Sequence, residues 1–129
     1  MSNEPFTVIV DTREKIPWTL NSSRVLGREF RKLDTGDYTV SGLEDKLCID
    51  RKMSVNELAV NIHQARFKKE LERIKKFPHA FIILEASAHD VFNYPKTADL
   101  PPKVKAKVRT NGNYLMRCLS RMQIKYEFN

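Results

Sequence analysis

Asp11, Asp37, Asp50 and Lys52 are the residues whose types and order best suit chemistry. Asp11 closes an apolar run over residues 6–10 and is followed by Thr12, Arg13 and Glu14. Asp37 sits in Gly36-Asp37-Tyr38, and thirteen positions later Asp50-Arg51-Lys52 closes a second apolar stretch. Two carboxylates followed by a lysine, in the order Asp…Asp-x-Lys, are what a metal-dependent phosphodiesterase needs. The carboxylates hold a divalent cation, the cation polarises phosphate and activates water, and the lysine steadies the charge that develops. Singly, each residue is ordinary: an Asp after a strand starts a loop, Gly-Asp-Tyr makes a turn, and Asp-x-Lys forms a surface ion pair. Together, in order and facing one way, they point to hydrolysis.

The elements that must position this set follow from periodicity. Residues 6–10 read as a buried strand, 12–27 as a long loop carrying Trp18, and 29–33 as a second strand. Residues 37–40 and 46–50 read as a hairpin across the turn at 41–45. With the turn centred on Leu43 and Glu44, Tyr38 pairs with Ile49 and Val40 with Leu47. Asp37 then sits opposite Asp50, and Lys52 follows on the same face because side chains alternate. Tyr38, Val40, Leu47 and Ile49 fall on the other face, toward the core. A slip of one residue would break the arrangement.

Residues 54–76 form the longest helical stretch, opened by a capping box of Ser54 and Glu57. Leu58, Ile62 and Ala65 make one stripe. Phe67, Leu71 and Ile74 make another, displaced by about half a turn, which predicts a bend near residues 65–68. Residues 81–84 read as a buried strand with Glu85 in solvent at its end, and 86–94 as a short helix. Asn111 or Asn113 starts a helix to about Met122, with Tyr114, Leu115, Cys118, Leu119 and Met122 inward. Residues 124–128 look like a closing strand. The order is α/β with a mixed sheet.

The chain has 129 residues, enough for one domain, and a formal net charge of +7. The excess of Lys and Arg suits a polyanionic partner. Arg66, Lys68, Lys69, Arg73, Lys75 and Lys76 form a basic helix face, either solvated beside Glu70 and Glu72 or set against a phosphate backbone. Lys103, Lys105, Lys107 and Arg109 alternate with Val104, Ala106 and Val108, as an extended segment reaching for DNA or an edge strand guarded by lysines. Trp18 and Tyr38 read as packing residues, His63 and His79 as surface residues, and adjacent His89 and Asp90 point apart. Cys48 and Cys118 lack zinc-site spacing and read as buried free thiols. No signal peptide and no apolar run approaching twenty residues is present, so an intracellular protein without a membrane span is expected.

Val10-Asp11-Thr12-Arg13-Glu14, Gly36-Asp37-Tyr38 and Ile49-Asp50-Arg51-Lys52 resemble the V-D-x-R-E, G-D-Y and V-E-R-K blocks of XPF-type structure-specific endonucleases. Residues 66–74 are similar to the R-F-x-x-E-L-x-R-L segment of microbial and phage members, and residues 81–85 look like the next strand. The resemblance covers residues 6–90 well and the C-terminal third loosely. It implies a restriction-endonuclease-like fold, a mixed central sheet flanked by helices, as a single nuclease domain over residues 1–129 without a helix-hairpin-helix module. It also implies Mg²⁺ or Mn²⁺, cutting of branched, flap or fork DNA near single-strand/double-strand junctions, and a homodimer.

Carried over by position, Asp37 and Asp50 ligate the metal with the carbonyl of Arg51, and Asp11 adds to the set. Lys52 orients or activates the attacking water. Asp11, Arg13 and Glu14 complete the acidic pocket, and Arg13 or Arg51 holds phosphate or carboxylate. Arg13, Arg66, Lys68, Lys69, Lys105, Lys107 and Arg109 are the expected DNA contacts. Two departures stand out: Asp50 replaces the family's glutamate, and Asn56 replaces the acid four residues after the lysine. Glu57, one residue further, either substitutes for that acid or only caps the helix. These departures keep open a second reading, a non-catalytic nuclease-like DNA-binding or scaffold subunit.

Overall fold

Short apolar runs and alternating patterns build the sheet, and longer 3.6-residue periodicity builds its cover. In the computed structural model, which describes residues 4–129, the elements follow in the order β1 (Phe6–Asp11), β2 (Val25–Arg31), β3 (Tyr38–Val40), β4 (Leu47–Lys52), α1 (Val55–Asn61), α2 (Ala65–Ile74), β5 (His79–Leu84), α3 (Ala88–Phe92), α4 (Pro102–Lys105) and α5 (Gly112–Tyr126). The five strands form one sheet in the order β2-β1-β3-β4-β5. β3 is antiparallel to both neighbours, whereas β2 and β5 run parallel to β1 and β4. Tyr38 lies opposite Ile49, the expected register.

The two faces of the sheet carry unequal cores. Cys48, Ala80 and the inward residues of α1, α2, α3 and α5 form the larger cluster, with Leu71, Ile74 and Leu115 fully buried. Val8, Val10 and Tyr38, joined by Trp18, Leu20 and Ile49, form a smaller cluster on the opposite face. This corrects the expectation that the acidic trio and the main core lie on opposite sides. Cys48, Asp50 and Lys52 share a face by alternation, so the trio emerges at the end of the stripe that anchors the main core. Burial pushes the Cys48 thiol up to about 12, with Asp50 adding to it, so this cysteine is inert. Cys118 is half-buried, less than expected.

The helical stretch breaks at residues 62–64, earlier than the stripes indicated. Ile62 N–H still reaches Leu58 O, but His63 and Gln64 bond only to Val60 and Asn61, three residues back. At the C-terminus the expected closing strand is absent, because α5 runs on to Tyr126. Tyr126 lies three turns beyond Leu115 and joins it on the buried side. The backbone of Asn129 bonds to β5 through Ala80 O and Ile82 N–H, both at 2.8 Å. Tyr114 is 46% exposed rather than inward. Leu115, Leu119 and Met122 are taken up by the chain's own core. Residues 102–105 are a short helix opened by Pro101 and Pro102, not an extended strand. Among the described residues no helix is long and apolar enough to cross a membrane.

Candidate active site

Because β3 runs against both neighbours, the C-terminal ends of β1 and β4 meet the start of β3 at one end of the central strands. Asp11 ends β1, Asp37 precedes β3, and Asp50 and Lys52 end β4. Gly36 makes the entry to β3 with φ 77°, and a Cβ there would lie 2.6 Å from Cys48 Sγ and 3.1 Å from Ile49 O. Gly36→Ala is therefore expected to destabilise the chain by about 2–3 kcal/mol, from a strained backbone plus the clash. Urea unfolding would read it, and a loss under about 0.5 kcal/mol would mean the turn relaxes freely.

Asp37 is pinned by its backbone and by one oxygen. Its N–H donates to Ile49 O at 2.8 Å, and its Oδ2 accepts from Arg51 N–H at 2.7 Å. Asp50 is held differently. It is 3% exposed, and its Oδ2 has no hydrogen-bond partner, although Lys52 Nζ lies 3.1 Å away in an ion pair. Burial pushes its carboxyl up to about 8; Lys52 opposes the rise, whereas Asp37 and Glu70 add to it. Asp37 is raised too, chiefly by burial, against the Arg51 N–H and Asp50. The Lys52 ammonium sits 4.8 Å from the Phe67 ring centre.

The cleft over this pair, about 260 Å³, has Glu57, Glu70 and Arg73 on its helical wall. The sequence reads Arg73 only as one of the basic helix face and Glu70 only as a charge partner beside it, neither as a residue of this cleft. Their signal is helical: both flank the buried Phe67, Leu71 and Ile74 stripe on its cleft side. Arg66 borders the same groove, whereas Lys68, about 200° round the helix from Arg66, points elsewhere. Lys68, Lys69, Lys105, Lys107 and Arg109 do not line the cleft. Lys105 Nζ donates instead to Lys96 O at 2.9 Å.

Asp11, Arg13, Glu14 and Arg51 also line the cleft, and their side chains carry further bonds within the fold. Asp11 Oδ1 accepts from Leu33 N–H at 2.9 Å and Oδ2 from Arg13 Nε at 2.8 Å. Burial alone would raise its carboxyl, but the Arg13 guanidinium and the Leu33 N–H bring it below the usual value. Alternation sends Arg51 to the opposite face. There its Nη1 bonds Glu14 Oε2 at 3.1 Å and Ile16 O at 2.6 Å, and its Nε bonds Glu85. The guanidinium stands 5.1 Å from the Trp18 ring centre, and Trp18 stacks on Tyr38 at 4.2 Å. Tyr38 OH donates to Glu14 Oε2 at 2.9 Å and Trp18 Nε1 to Glu85 Oε1 at 2.5 Å. Glu85 is exposed as expected, yet its carboxylate is committed to this network.

Glu57 caps α1 through the Met53 N–H at 2.9 Å while also bordering the cleft. Asn56 faces away and accepts from Tyr94 OH at 2.8 Å. Asp90 caps α3 in a box with Ser87. Among the described residues, no three His, Cys, Asp or Glu side chains form a metal-binding group.

A model of the ERCC4 domain matches residues 10–129. The fold is similar to XPF from Aeropyrum pernix, with a TM-score of 0.63 and 20% identity over 95% of this chain and 54% of that one. It is similar also to XPF from Aeropyrum pernix in complex with DNA, with a TM-score of 0.65 and 21% identity over 96% of this chain and 54% of that one. The chain thus spans about half the length of these relatives. No curated protein matches it in sequence. The mixed sheet with helical cover is restriction-endonuclease-like. The chain belongs to the ERCC4 domain family, the XPF-type structure-specific endonuclease domains.

Proposed function

We propose that the chain is an Mg²⁺- or Mn²⁺-dependent DNA endonuclease that cuts branched, flap or fork DNA near single-strand/double-strand junctions. The observation that carries this reading is the buried Oδ2 of Asp50, which accepts no hydrogen bond and has the Lys52 ammonium beside it, crowded by Asp37 and Glu70. Carboxylates crowded around one buried ammonium are costly, and a further cation relieves them. Mg²⁺ keeps several waters and takes only one or two carboxylates, so a site without three acidic or imidazole ligands suits it. Asp37, Asp50 and the Arg51 carbonyl would hold the ion, which supplies Lewis-acid polarisation of phosphate when bound. Lys52 Nζ donates to the charge that develops there. Arg66 and Arg73 hold backbone phosphates on the helical wall without reading bases. The DNA complex of XPF from Aeropyrum pernix supports DNA as the substrate. A homodimer belongs to the same reading, through surfaces other than the core residues Leu115, Leu119 and Met122.

The Asp50–Lys52 ion pair favours the second reading, a nuclease-like DNA-binding subunit that does not cut. Cleavage of labelled duplex, flap and fork DNA separates the two. Metal-dependent cutting is expected on branched DNA, about 100-fold or more weaker in Asp37→Ala and stronger in Asp50→Glu. Salt-sensitive binding with no cutting, even in Asp50→Glu, establishes the second reading.

A further inference from the structure

The positive charge is concentrated in one part of the chain. Residues 100–126 contain seven Lys and Arg and no Asp or Glu, while the other residues balance sixteen of each sign. α5 lies in this stretch and carries Arg117 and Arg121, both exposed and one turn apart. At the N-terminal end of that row, exposed Tyr114 lies parallel to exposed His63, with centroids 6.0 Å apart and planes 11° apart. His63 Nε2 is held by Thr110 Oγ1 at 3.0 Å.

The position of His63 connects this patch to the cleft. It occupies the joint between α1 and α2, where Asn61, Gln64 and Arg66 line a groove that shares Lys52, Glu70 and Arg73 with the cleft. The paired rings thus adjoin, through His63 between Asn61 and Gln64, the groove that continues the cleft. Core packing does not account for rings that face solvent, and α5 has no acidic residue for its arginines to pair with. Parallel exposed rings bordered by arginines are a platform for an unpaired base and its phosphates.

We propose that His63, Tyr114, Arg117 and Arg121 form a second nucleic-acid site, which holds a single-stranded DNA arm outside the cleft. The arm's identity as part of a branched substrate rests on the nuclease reading; the binding does not. The test is fluorescence anisotropy of labelled oligo(dT) and blunt duplex with the full chain in EDTA. Tyr114→Ala is expected to weaken oligo(dT) binding about ten-fold and duplex binding less than about two-fold, with Tyr114→Phe unaffected. Arg117→Gln with Arg121→Gln is expected to lower the salt slope on oligo(dT) by about 1.4, and it carries the test if Tyr114→Ala misfolds in a circular-dichroism melt. Unchanged oligo(dT) affinity, or equal loss on both DNAs, overturns the site. Tight, Tyr114-dependent binding by a chain that cuts nothing with Mg²⁺ supports the site and sinks the nuclease reading alone.

Discussion

Asp50→Asn is expected to raise the melting temperature at pH 8 by about 5 °C or more, and to abolish the further rise that Mg²⁺ gives the unaltered chain. Asp50 is almost wholly buried among Asp37, Glu70 and one lysine, so its charge is poorly tolerated there. Its carboxyl sits at about 8 when folded, against an ordinary 3.8. The folded chain therefore binds this proton more tightly than the unfolded chain does. Stability contributed by the protonated group is present below the ordinary value and is lost as pH rises toward the folded one. The advantage of Asp50→Asn should open between about pH 4 and pH 8 and then level off. Asparagine keeps the shape, and Lys52 still has Asp37 and Glu70 nearby as counter-charges. Mg²⁺ stabilises the state that binds it by mass action, so only the chain with both carboxylates should respond. Scanning fluorimetry across this pH range reads both effects. A lower melting temperature for the variant at pH 8 would mark the Asp50–Lys52 pair as structural and favour the non-cutting subunit.

The same residues show what a linear reading reaches. Asp37, Asp50 and Lys52 were placed together by alternation and by the Tyr38–Ile49 register, both properties of neighbouring residues in one hairpin. Glu70 and Arg73 come from a helix whose orientation over the sheet depends on the break at residues 62–64. Three N–H groups with two bonding patterns decide that break, and side-chain periodicity does not report them. The C-terminal residues misled for the opposite reason. Ile124, Tyr126 and Phe128 alternate like a strand, but Tyr126 also falls on the helical stripe begun by Leu115, and the longer element prevailed. Asp11 was assigned to metal by its type and place. Its oxygens are bonded to Arg13, just after β1, and to Leu33, just after β2, while the residue also lines the cleft, and the path of the loop after β2 is not legible in the sequence.

Arg51→Ala is expected to destabilise the chain by about 3 kcal/mol and to remove most cleavage. Breaking a buried ion pair by deleting one partner costs about 3–5 kcal/mol, and the lower figure applies because Glu85 keeps 34% side-chain exposure. Arg51 itself is 6% exposed at the side chain. Its guanidinium joins Glu14 and Ile16 of the loop after β1 to Glu85 at the end of β5, and faces Trp18 across the smaller core. Deletion leaves two carboxylates without their cation and frees the segment that covers this face. Arg51→Lys should recover only a minor part, since one ammonium cannot reach both acids and the Ile16 carbonyl in the geometry of a planar fork. The consequence reaches the cleft through the backbone: the N–H of Arg51 fixes Asp37 Oδ2, so loosening the end of β4 misplaces a carboxylate that Arg51 never touches with its side chain. Urea unfolding and fork cleavage measure the two losses. Full stability with lost cutting would relocate Arg51 to the chemistry itself, while a loss of stability with unchanged cutting would show that Asp37 keeps its place without the clamp.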